Sequence, residues 1–389
     1  MKAITSEASE LVTGYRLQNI YNLVSNKRSF LLKFAKPDSK VNIVVESGLK
    51  VYVSEFQRPT LPQPSGFVVK LRKHLKTKRL TRIYQLGDDR ICVMEFNDGL
   101  YYLVFEFFSA GNIVLLDSDK IILSLFRLVD EHENNSKYAV GETYSTNIEN
   151  FSSNEYSHEF TKEEVTQWVK EEIESVQKEK EKPNSSQKSI KVLSIHKLLF
   201  LRNSYLSSDL IQVYLTQNKL EGGKSCVSLL EDSSLLETAV TVLNEIEKFL
   251  HDLFYSGRKE ISGYLISRKN PLYRKVEKKE TEETSAENEE EKEEHDELEY
   301  VYDSFFTFNP IHKLGKDDVK VEIVQGYNKT LDKFFTVIES SKSTLKKQQQ
   351  QINAEKRLQT VGNEQSEKIS KLTKLQELNY RKGQLIMTY

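Results

Sequence analysis

The sequence predicts an α+β protein: an antiparallel β-sandwich, followed by a helical unit and one long helix. Three observations support this fold class. Short segments of alternating apolar and polar residues recur along the first third of the chain, with turn residues between them. After Phe160 the apolar residues follow helical spacing instead. From Asn328 onward the chain is rich in Lys, Gln and Glu, which is typical of a long solvated helix.

The predicted strands fall into two groups, one on each side of a basic stretch. A helix over residues 4–12 precedes the first group, and Gly14 ends it. We expect strands at 15–24, 29–34, 41–45 and 49–53, and then at 90–96, 100–107, 112–116 and 121–129. Asp98-Gly99 between two such segments is a strong hairpin signal. Many short strands at this spacing indicate a sandwich or a barrel.

The rest of the chain divides by composition. We expect the β-rich first part to span 1–177, followed by a charged linker, 178–191, and a helical unit, 192–256. Residues 257–326 contain returning strands and a low-complexity acidic insertion, 276–299. Within that insertion, residues 277–299 carry thirteen acids and three lysines, so the remainder has a net charge of +8 although the whole chain has −2. The protein is therefore a basic body with an acidic insertion.

A basic stretch separates the two groups of strands. Ser65 is a plausible helix N-cap, and Phe67, Val68, Leu71 and Leu75 fall on one face of the helix that follows. Between residues 70 and 82 the sequence contains no acid and seven Lys and Arg residues, namely Lys70, Arg72, Lys73, Lys76, Lys78, Arg79 and Arg82. We call these seven residues the basic ridge. It is either a solvated surface or a set of phosphate contacts, in which each cation displaces condensed counterions.

Motifs for enzymatic chemistry are missing from the sequence. It contains no glycine-rich phosphate loop, no GxSxG elbow and no HExxH pair. Cys92 and Cys226 are too few for a disulfide scaffold or a cysteine zinc site, and we expect both to be packed thiols. His132 and His196 each lack a second ligand at metal spacing. We expect no catalytic residue, no metal and no cofactor, and, without a membrane span or leader, a cytoplasmic protein that does not contact membrane.

Five segments together resemble one known family. They are GYRLQNIYNL at 14–23, FLLKFAKPDSK at 30–40, FQRPTLPQPSGFVVKLRKHLKTKRL at 56–80, LVFEFFSAGNIVLLD at 103–117 and YNKTLDKFFTVIESSK at 327–342. The resemblance is to the NFACT family, in its eukaryotic branch of ribosome quality control factors, and it covers nearly the whole chain. It implies an NFACT N-terminal domain related in fold to formamidopyrimidine-DNA glycosylases, a helix-hairpin-helix domain over 192–256 and a coiled-coil arm over 327–389.

The resemblance also implies a function. Members of this branch bind a large ribosomal subunit that still holds peptidyl-tRNA, and they help recruit the listerin ubiquitin ligase. They admit alanine and threonine tRNAs, so that the stalled chain is extended at its C-terminus without mRNA. Peptide-bond chemistry stays with the ribosome, so the resemblance implies a tRNA-positioning factor, not an enzyme. The N-terminal Pro-Glu pair and the zinc finger of the glycosylases are missing here.

One pair of family residues has a match in this sequence. The Asp-Arg pair that the family needs for tail synthesis matches Asp89-Arg90, just before a predicted strand. From the residues alone, Asp89 and Arg90 form either an ion pair that fixes a loop or a contact to phosphate or base. The family's Asp in the first helix has no counterpart in MKAITSEASEL, so we expect a shortened start. We also expect the returning half of the coiled coil and a further RNA-binding-like domain to lie beyond Tyr389.

Two other interpretations of the function remain open. The chain could be a protein-interaction scaffold on the ribosome, with the coiled coil as its working part and no selection of tRNA. In that case, deleting 340–389 would abolish association with the subunit. An interpretation as a nucleic-acid lyase lacks the nucleophile.

Overall fold

The computed structural model describes residues 1–87, 89–129, 138–144, 158–180, 191–255, 261–270, 299–315 and 318–388. These residues form two units. The first comprises Met1–Ser267 and Asp303–Phe334, and the second comprises Arg268–Tyr302 and Phe335–Tyr389. His132, residues 276–298 of the acidic insertion and residues 181–190 of the linker lie outside the described residues.

Two antiparallel sheets form the β-rich part of the first unit. The four-stranded sheet contains β1 (Arg16–Asn22), β2 (Ser29–Lys36), β3 (Ser39–Glu46) and β4 (Lys50–Ser54), in that order. The five-stranded sheet contains β5 (Leu80–Gln85), β6 (Ile91–Phe96), β7 (Tyr101–Glu106), β8 (Asn112–Asp117) and β9 (Ile122–Leu125), also in order. Each strand pairs with the next, because the turns between them are short. In the predicted hairpin turn between β6 and β7, Asn97, Asp98 and Gly99 all have positive φ.

The inner faces of the two sheets share one hydrophobic core. Phe34 of β2 and Phe96 of β6 stack with their ring centroids 6.3 Å apart. Two helices complete this core: α1 (Lys2–Val12) contributes Ala8 and Val12, and α2 (Gly66–Leu75) contributes the apolar face described below. The α+β class and the antiparallel sandwich predicted from the sequence are confirmed.

One strand was not predicted from the sequence. Residues 80–85, which include Arg82 of the basic ridge, form β5, which pairs with β6 and begins the second sheet. Leu80 and Ile83 of β5 are buried in the sandwich core, whereas Arg82 is exposed. The pairing register shifts between Leu80 and Arg82, which interrupts the alternation of apolar and polar residues that identifies a strand. The sequence pattern of this segment therefore showed its charged residues and not the strand.

A group of helices packs around a second hydrophobic core. They are α3 (Lys162–Lys180), α4 (Ile195–Arg202), α5 (Ser208–Gln217), α6 (Ser228–Glu231) and α7 (Ser233–Tyr255). We call them the helical unit. Trp168 packs edge-on against Phe160. The Nε2 atom of His196 forms a hydrogen bond of 3.0 Å with the carbonyl oxygen of Ser208.

The chain then returns to β structure and ends in a long helix. A three-stranded sheet has the order β11 (Tyr300–Phe306), β10 (Gly263–Lys269) and β12 (Val319–Val324), and α8 spans Tyr327–Thr388. None of the helices in the described part of the chain is both long and apolar enough to cross a membrane. Cys92 and Cys226 are buried free thiols, and burial raises the pKa of Cys92 to about 12 and that of Cys226 to about 11, which makes both unreactive.

Candidate nucleic-acid interface

Helix α2 presents its basic residues because its opposite face is fixed in the sandwich core. The Ser65 side chain caps the helix by accepting a hydrogen bond from the backbone N–H of Val68. Val68, Leu71 and Leu75 are fully buried, and Phe67 packs against the same core. The helix therefore cannot rotate, and the direction of its polar residues is set by the apolar ones.

Three lysines remain available on the exposed side of α2 and at its C-cap. Lys70, Lys73 and Lys76 are all exposed, and no carboxylate among the described residues pairs with any of them. His74 adds no charge at neutral pH, because burial and the neighbouring Lys73 lower its pKa. We call Lys70, Lys73 and Lys76 the lysine face. Lys78 follows the helix and is half-buried.

Arg72 does not belong to the exposed ridge. Its Nε atom donates a hydrogen bond of 2.8 Å to the carbonyl oxygen of Ile20, and its guanidinium lies 5.1 Å from the centre of the Tyr21 ring. Both contacts join α2 to β1, so this arginine fastens the helix to the sheet. The assignment of Arg72 as a phosphate contact is therefore corrected.

Arg79 and Arg82 are partly neutralised by carboxylates of the same sheet. Arg79 Nη2 lies 3.0 Å from Asp98 Oδ2, and Arg82 Nη1 lies 3.6 Å from Glu95 Oε2. The Arg82 guanidinium also stacks 4.6 Å from the centre of the Tyr84 ring. Arg79 and Arg82 also lie outside α2. Of the seven residues of the basic ridge, the lysine face and Lys78 therefore remain as unpaired cations among the described residues.

The Asp89-Arg90 pair lies in the connection between β5 and β6. The Asp89 carboxylate accepts a hydrogen bond of 2.8 Å from the backbone N–H of Arg90, and Gln85 Nε2 donates one of 2.7 Å to the Asp89 carbonyl. The backbone N–H of Phe107 holds the carbonyl of Arg90 at 2.9 Å. The Arg90 side chain is exposed and pairs with no carboxylate of the described residues. These hydrogen bonds to the backbone hold the hairpin in place. An ion pair of the Arg90 side chain is therefore not needed to fix it.

A cavity of about 680 Å³ lies beside this hairpin. The hairpin contributes Gln85, Asp89 and Arg90, and α1 contributes its first residues. The helical unit supplies further lining residues, including Tyr205 and Glu247. The remaining wall is largely aromatic, with Phe200, Phe254, Phe305, Phe306, Phe308 and Tyr327. The cavity is open to solvent, and polar and apolar groups share its wall about equally.

Glu106 is a buried carboxyl group close to the hairpin. It is 3% exposed, and its Oε1 atom accepts a hydrogen bond of 2.9 Å from the Tyr144 hydroxyl. Burial raises the pKa of Glu106, and the charge of Asp89 acts in the same direction, although Tyr144, Tyr138 and Arg127 oppose it. Glu106 ends β7, next to the residue that holds the Arg90 carbonyl.

We expect Glu106→Gln to change the pH dependence of stability. The folded state holds the Glu106 proton to higher pH than the unfolded state, so this stabilisation is present at low pH and is lost as pH rises through the raised pKa. Glutamine does not titrate. In urea titrations, the free energy of unfolding of the variant, relative to the parent, should therefore increase as the pH rises above the usual pKa of glutamate. A difference that is constant with pH would contradict the protonation of Glu106.

The first turns of α8, residues 327–334, are held by buried polar contacts that no local pattern predicted. Glu7 of α1 is 4% exposed, and its carboxylate accepts from the backbone N–H groups of Tyr327 at 2.7 Å and Asn328 at 2.8 Å. An acid at a helix N-terminus is favoured by the helix dipole. Gly263 of β10 allows close approach, because a Cβ there would lie 2.0 Å from Thr330 Oγ1.

Asp332 makes a second set of contacts from the same turns. It is 2% exposed and accepts hydrogen bonds from the Ser54 hydroxyl and from the backbone N–H of Glu55, each 2.7 Å long. It also lies 3.2 Å from Arg58 Nη2, and both side chains of this ion pair are buried. Residues 274 or more positions apart meet here, so a sequence pattern could not have identified them.

The interface offers cationic groups that can bind phosphates and base edges. In the part of the chain that the structure describes, no group of three or more His, Cys, Asp or Glu residues could hold a metal ion. The lysine face can contact phosphates, and Arg90 can form two parallel hydrogen bonds to a phosphate or a base edge. The structure brings Asp89 and Arg90 to one cavity, and it places the lysine face on a different element, α2.

Comparisons with known proteins give the family context. The family model of NFACT N-terminal and middle domains matches residues 1–177. Ribosome quality control complex subunit 2 of Saccharomyces cerevisiae is 40% identical, over 99% of this chain and 37% of that protein. The human ribosome quality control complex subunit NEMF is 27% identical, over 99% of this chain and 32% of that protein. The chain thus spans about a third of the length of these curated relatives.

Among solved structures, the fibrinogen binding protein of Staphylococcus aureus is similar to this chain with a TM-score of 0.46 and 14% sequence identity. That similarity covers 85% of this chain and 96% of the bacterial chain.

Proposed function

The chain belongs to the family of ribosome quality control complex subunit 2 and NEMF, and on that premise we propose that it is a ribosome quality control factor that binds RNA. In this proposal it binds the large ribosomal subunit with its stalled peptidyl-tRNA in the cytoplasm. It also recruits alanine and threonine tRNAs for C-terminal tailing without mRNA and helps recruit the listerin ubiquitin ligase. Residues 192–256 of the helical unit are then the helix-hairpin-helix domain, and α8 is the first helix of the coiled-coil arm.

The lysine face is the single observation that carries the proposal. Lys70, Lys73 and Lys76 are held outward by a helix whose other face is buried, and no carboxylate of the described residues neutralises them. A stability-neutral surface mixes both charges, so three unpaired cations on one side of a fixed helix favour a polyanionic partner. Peptide-bond formation remains with the ribosome, and this chain contributes binding and positioning.

Arg90 and Asp89 have a different role in this proposal. Phosphate contacts fix the position of an RNA but carry no sequence information, whereas contacts to base edges can discriminate. Arg90 lines a cavity next to aromatic side chains, where an unstacked base can be accommodated. The lysine face therefore supplies affinity, and the hairpin supplies preference among tRNAs.

The salt dependence of tRNA binding tests the proposal. Each phosphate contact lowers the slope of log K against log salt by roughly 0.7 to 0.9, so three lysine contacts predict a slope of about −2 or steeper. Fluorescence anisotropy with labelled tRNA at several salt concentrations measures it. A slope near zero, or no binding at low salt, would contradict RNA binding by this surface.

A scaffold function is the second candidate, and the long helix favours it. Leu358, Ile369 and Leu372 of α8 are between 64% and 73% exposed, which is unusual for leucine and isoleucine. Apolar residues on an extended helix are suited to a partner helix. Deleting residues 340–389 separates the candidates: tRNA binding survives the deletion if the lysine face carries it, whereas subunit association is lost if the arm alone carries it.

A further inference from the structure

Strand β12 lies at the edge of the three-stranded sheet and exposes apolar side chains. Among the described strands, only β10 pairs with it. Its sequence is VKVEIV, in which Val321 is 37% and Ile323 is 60% exposed. An edge strand presents backbone N–H and C=O groups to a further strand, and exposed apolar residues on such an edge favour pairing with another chain. We therefore examine which strand fits β12.

Both edges of the four-stranded sheet, in contrast, are covered by other parts of the same chain. At β4, the Asn328 side chain accepts a hydrogen bond of 2.9 Å from the backbone N–H of Val53. At β1, the backbone N–H of Leu17 donates one of 2.9 Å to the carbonyl oxygen of Lys78. Folded proteins usually protect their sheet edges in such ways. The exposed valine and isoleucine of β12 are therefore an exception that needs a reason.

The sequence of β12 is complementary to itself in one register. Directly opposite residues of an antiparallel pair point to the same face of the sheet. A two-fold axis perpendicular to the sheet places one residue opposite its own copy. With Val321 on this axis, Lys320 of each copy lies opposite Glu322 of the other, and Val319 lies opposite Ile323. One face then carries two attractive charge pairs, and the other carries a continuous row of apolar side chains.

The neighbouring registers bring like charges together. With Glu322 on the axis, two carboxylates face each other, and with Lys320 on the axis, two ammonium groups do. Like charges directly opposite each other are destabilising. Charge complementarity therefore selects one register, and the strand that supplies it is β12 itself.

We propose that β12 docks antiparallel on β12 of a second copy of this chain, so that two three-stranded sheets join into one of six strands across a two-fold axis. A stable interface buries about 800 Å² on each partner, which is more than a strand of six residues supplies alone. The dimer is therefore weak and forms as the protein concentration rises. It does not involve the lysine face, so its failure would leave the proposed function untouched.

Sedimentation equilibrium of the whole chain at increasing concentration tests the inference, and the parent should pass from monomer to dimer. Lys320→Glu and Glu322→Lys should each weaken dimerisation about tenfold or more, because each change makes both charge pairs of the dimer repulsive. An equimolar mixture of the two variants should associate about as tightly as the parent, since every Lys then faces a Glu again. The double variant should also dimerise.

Val321→Lys tests the apolar face of the same register. It places a lysine opposite its own copy on the axis, so it should also weaken dimerisation about tenfold or more. The matched control is Leu128→Lys, because Leu128 is 71% exposed and lies outside β12. This control should leave dimerisation unchanged. If Glu322→Lys lowers the melting temperature, Lys320→Glu and Val321→Lys decide, since both of these residues are exposed.

Two results would overturn the inference. A parent that stays monomeric at every concentration leaves the edge of β12 to a strand of another protein. A dimer that survives both Lys320→Glu and Val321→Lys forms through another surface, such as the exposed apolar residues of α8. Association that is lost in each charge variant and restored in their mixture supports the inference, because partial unfolding of the variants cannot produce that pattern.

Discussion

Changing Lys70, Lys73 and Lys76 together to glutamate is expected to weaken the binding of every tRNA on the order of a hundredfold at moderate salt. The three side chains are exposed on one side of α2, and each reversal replaces a phosphate contact with a repulsive charge. Because phosphates carry no sequence information, all tRNAs should lose affinity by the same factor. Anisotropy titrations with several tRNAs measure both the loss and its uniformity.

The matched control reverses three exposed lysines of the helical unit, Lys170, Lys197 and Lys248. It produces the same change in net charge on other elements. We expect a loss of only a few-fold, which would come from the overall charge and not from direct contacts. An equal loss in both triple variants would mean that net charge, not the lysine face, governs binding. The stability of the first variant should be unchanged, since none of its residues is buried.

Asp332→Ala is expected to lower the free energy of unfolding by about 3–5 kcal/mol. Asp332 and Arg58 form an ion pair in which both side chains are more than nine-tenths buried, and the same carboxylate accepts from Ser54 and the backbone N–H of Glu55. Removing it leaves the buried Arg58 without this counter-charge and deprives the other two donors of their acceptor. Urea denaturation of the parent and the variant measures the difference.

Lys333→Ala provides the comparison for Asp332→Ala. Lys333 is the next residue of α8 and pairs with Glu322, but in this pair the side chains are 41% and 42% exposed. Exposed ion pairs contribute about 0–1 kcal/mol, so this variant should be nearly as stable as the parent. If the two variants lost similar stability, the buried contacts of the first turns of α8 would not be an anchor.

Local patterns predicted much of the fold and part of the site. The apolar spacing of Val68, Leu71 and Leu75 gave the correct orientation of α2, because a single buried face determines how a helix packs. The turn residues Asp98-Gly99 identified the hairpin of β6 and β7, since only a few residue types adopt positive φ at low cost. Features that depend on residues close together in the sequence could therefore be predicted from it.

Features that depend on residues far apart in the sequence could not be predicted from it. Charge alone assigned Arg72 to the ridge, but its contact with Ile20 is set by where β1 lies, 52 residues earlier. Tyr205 and Glu247 are 42 positions apart, and each occurs in an unremarkable helical pattern. Strand β5 was not predicted, because the charged residues of the basic ridge obscured its apolar pattern. A buried carboxylate such as Glu7 or Glu106 has the same appearance in sequence as a solvated one, so its role emerges only from packing.

The most direct test of the central claim, that this chain docks on RNA of the stalled complex through the lysine face, is co-sedimentation with large ribosomal subunits that carry or lack peptidyl-tRNA. The account predicts that the parent pellets preferentially with subunits that carry peptidyl-tRNA, whereas the Lys70, Lys73 and Lys76 triple glutamate variant stays in the supernatant. A triple variant that pellets as well as the parent, or a parent that pellets with neither kind of subunit, would contradict it.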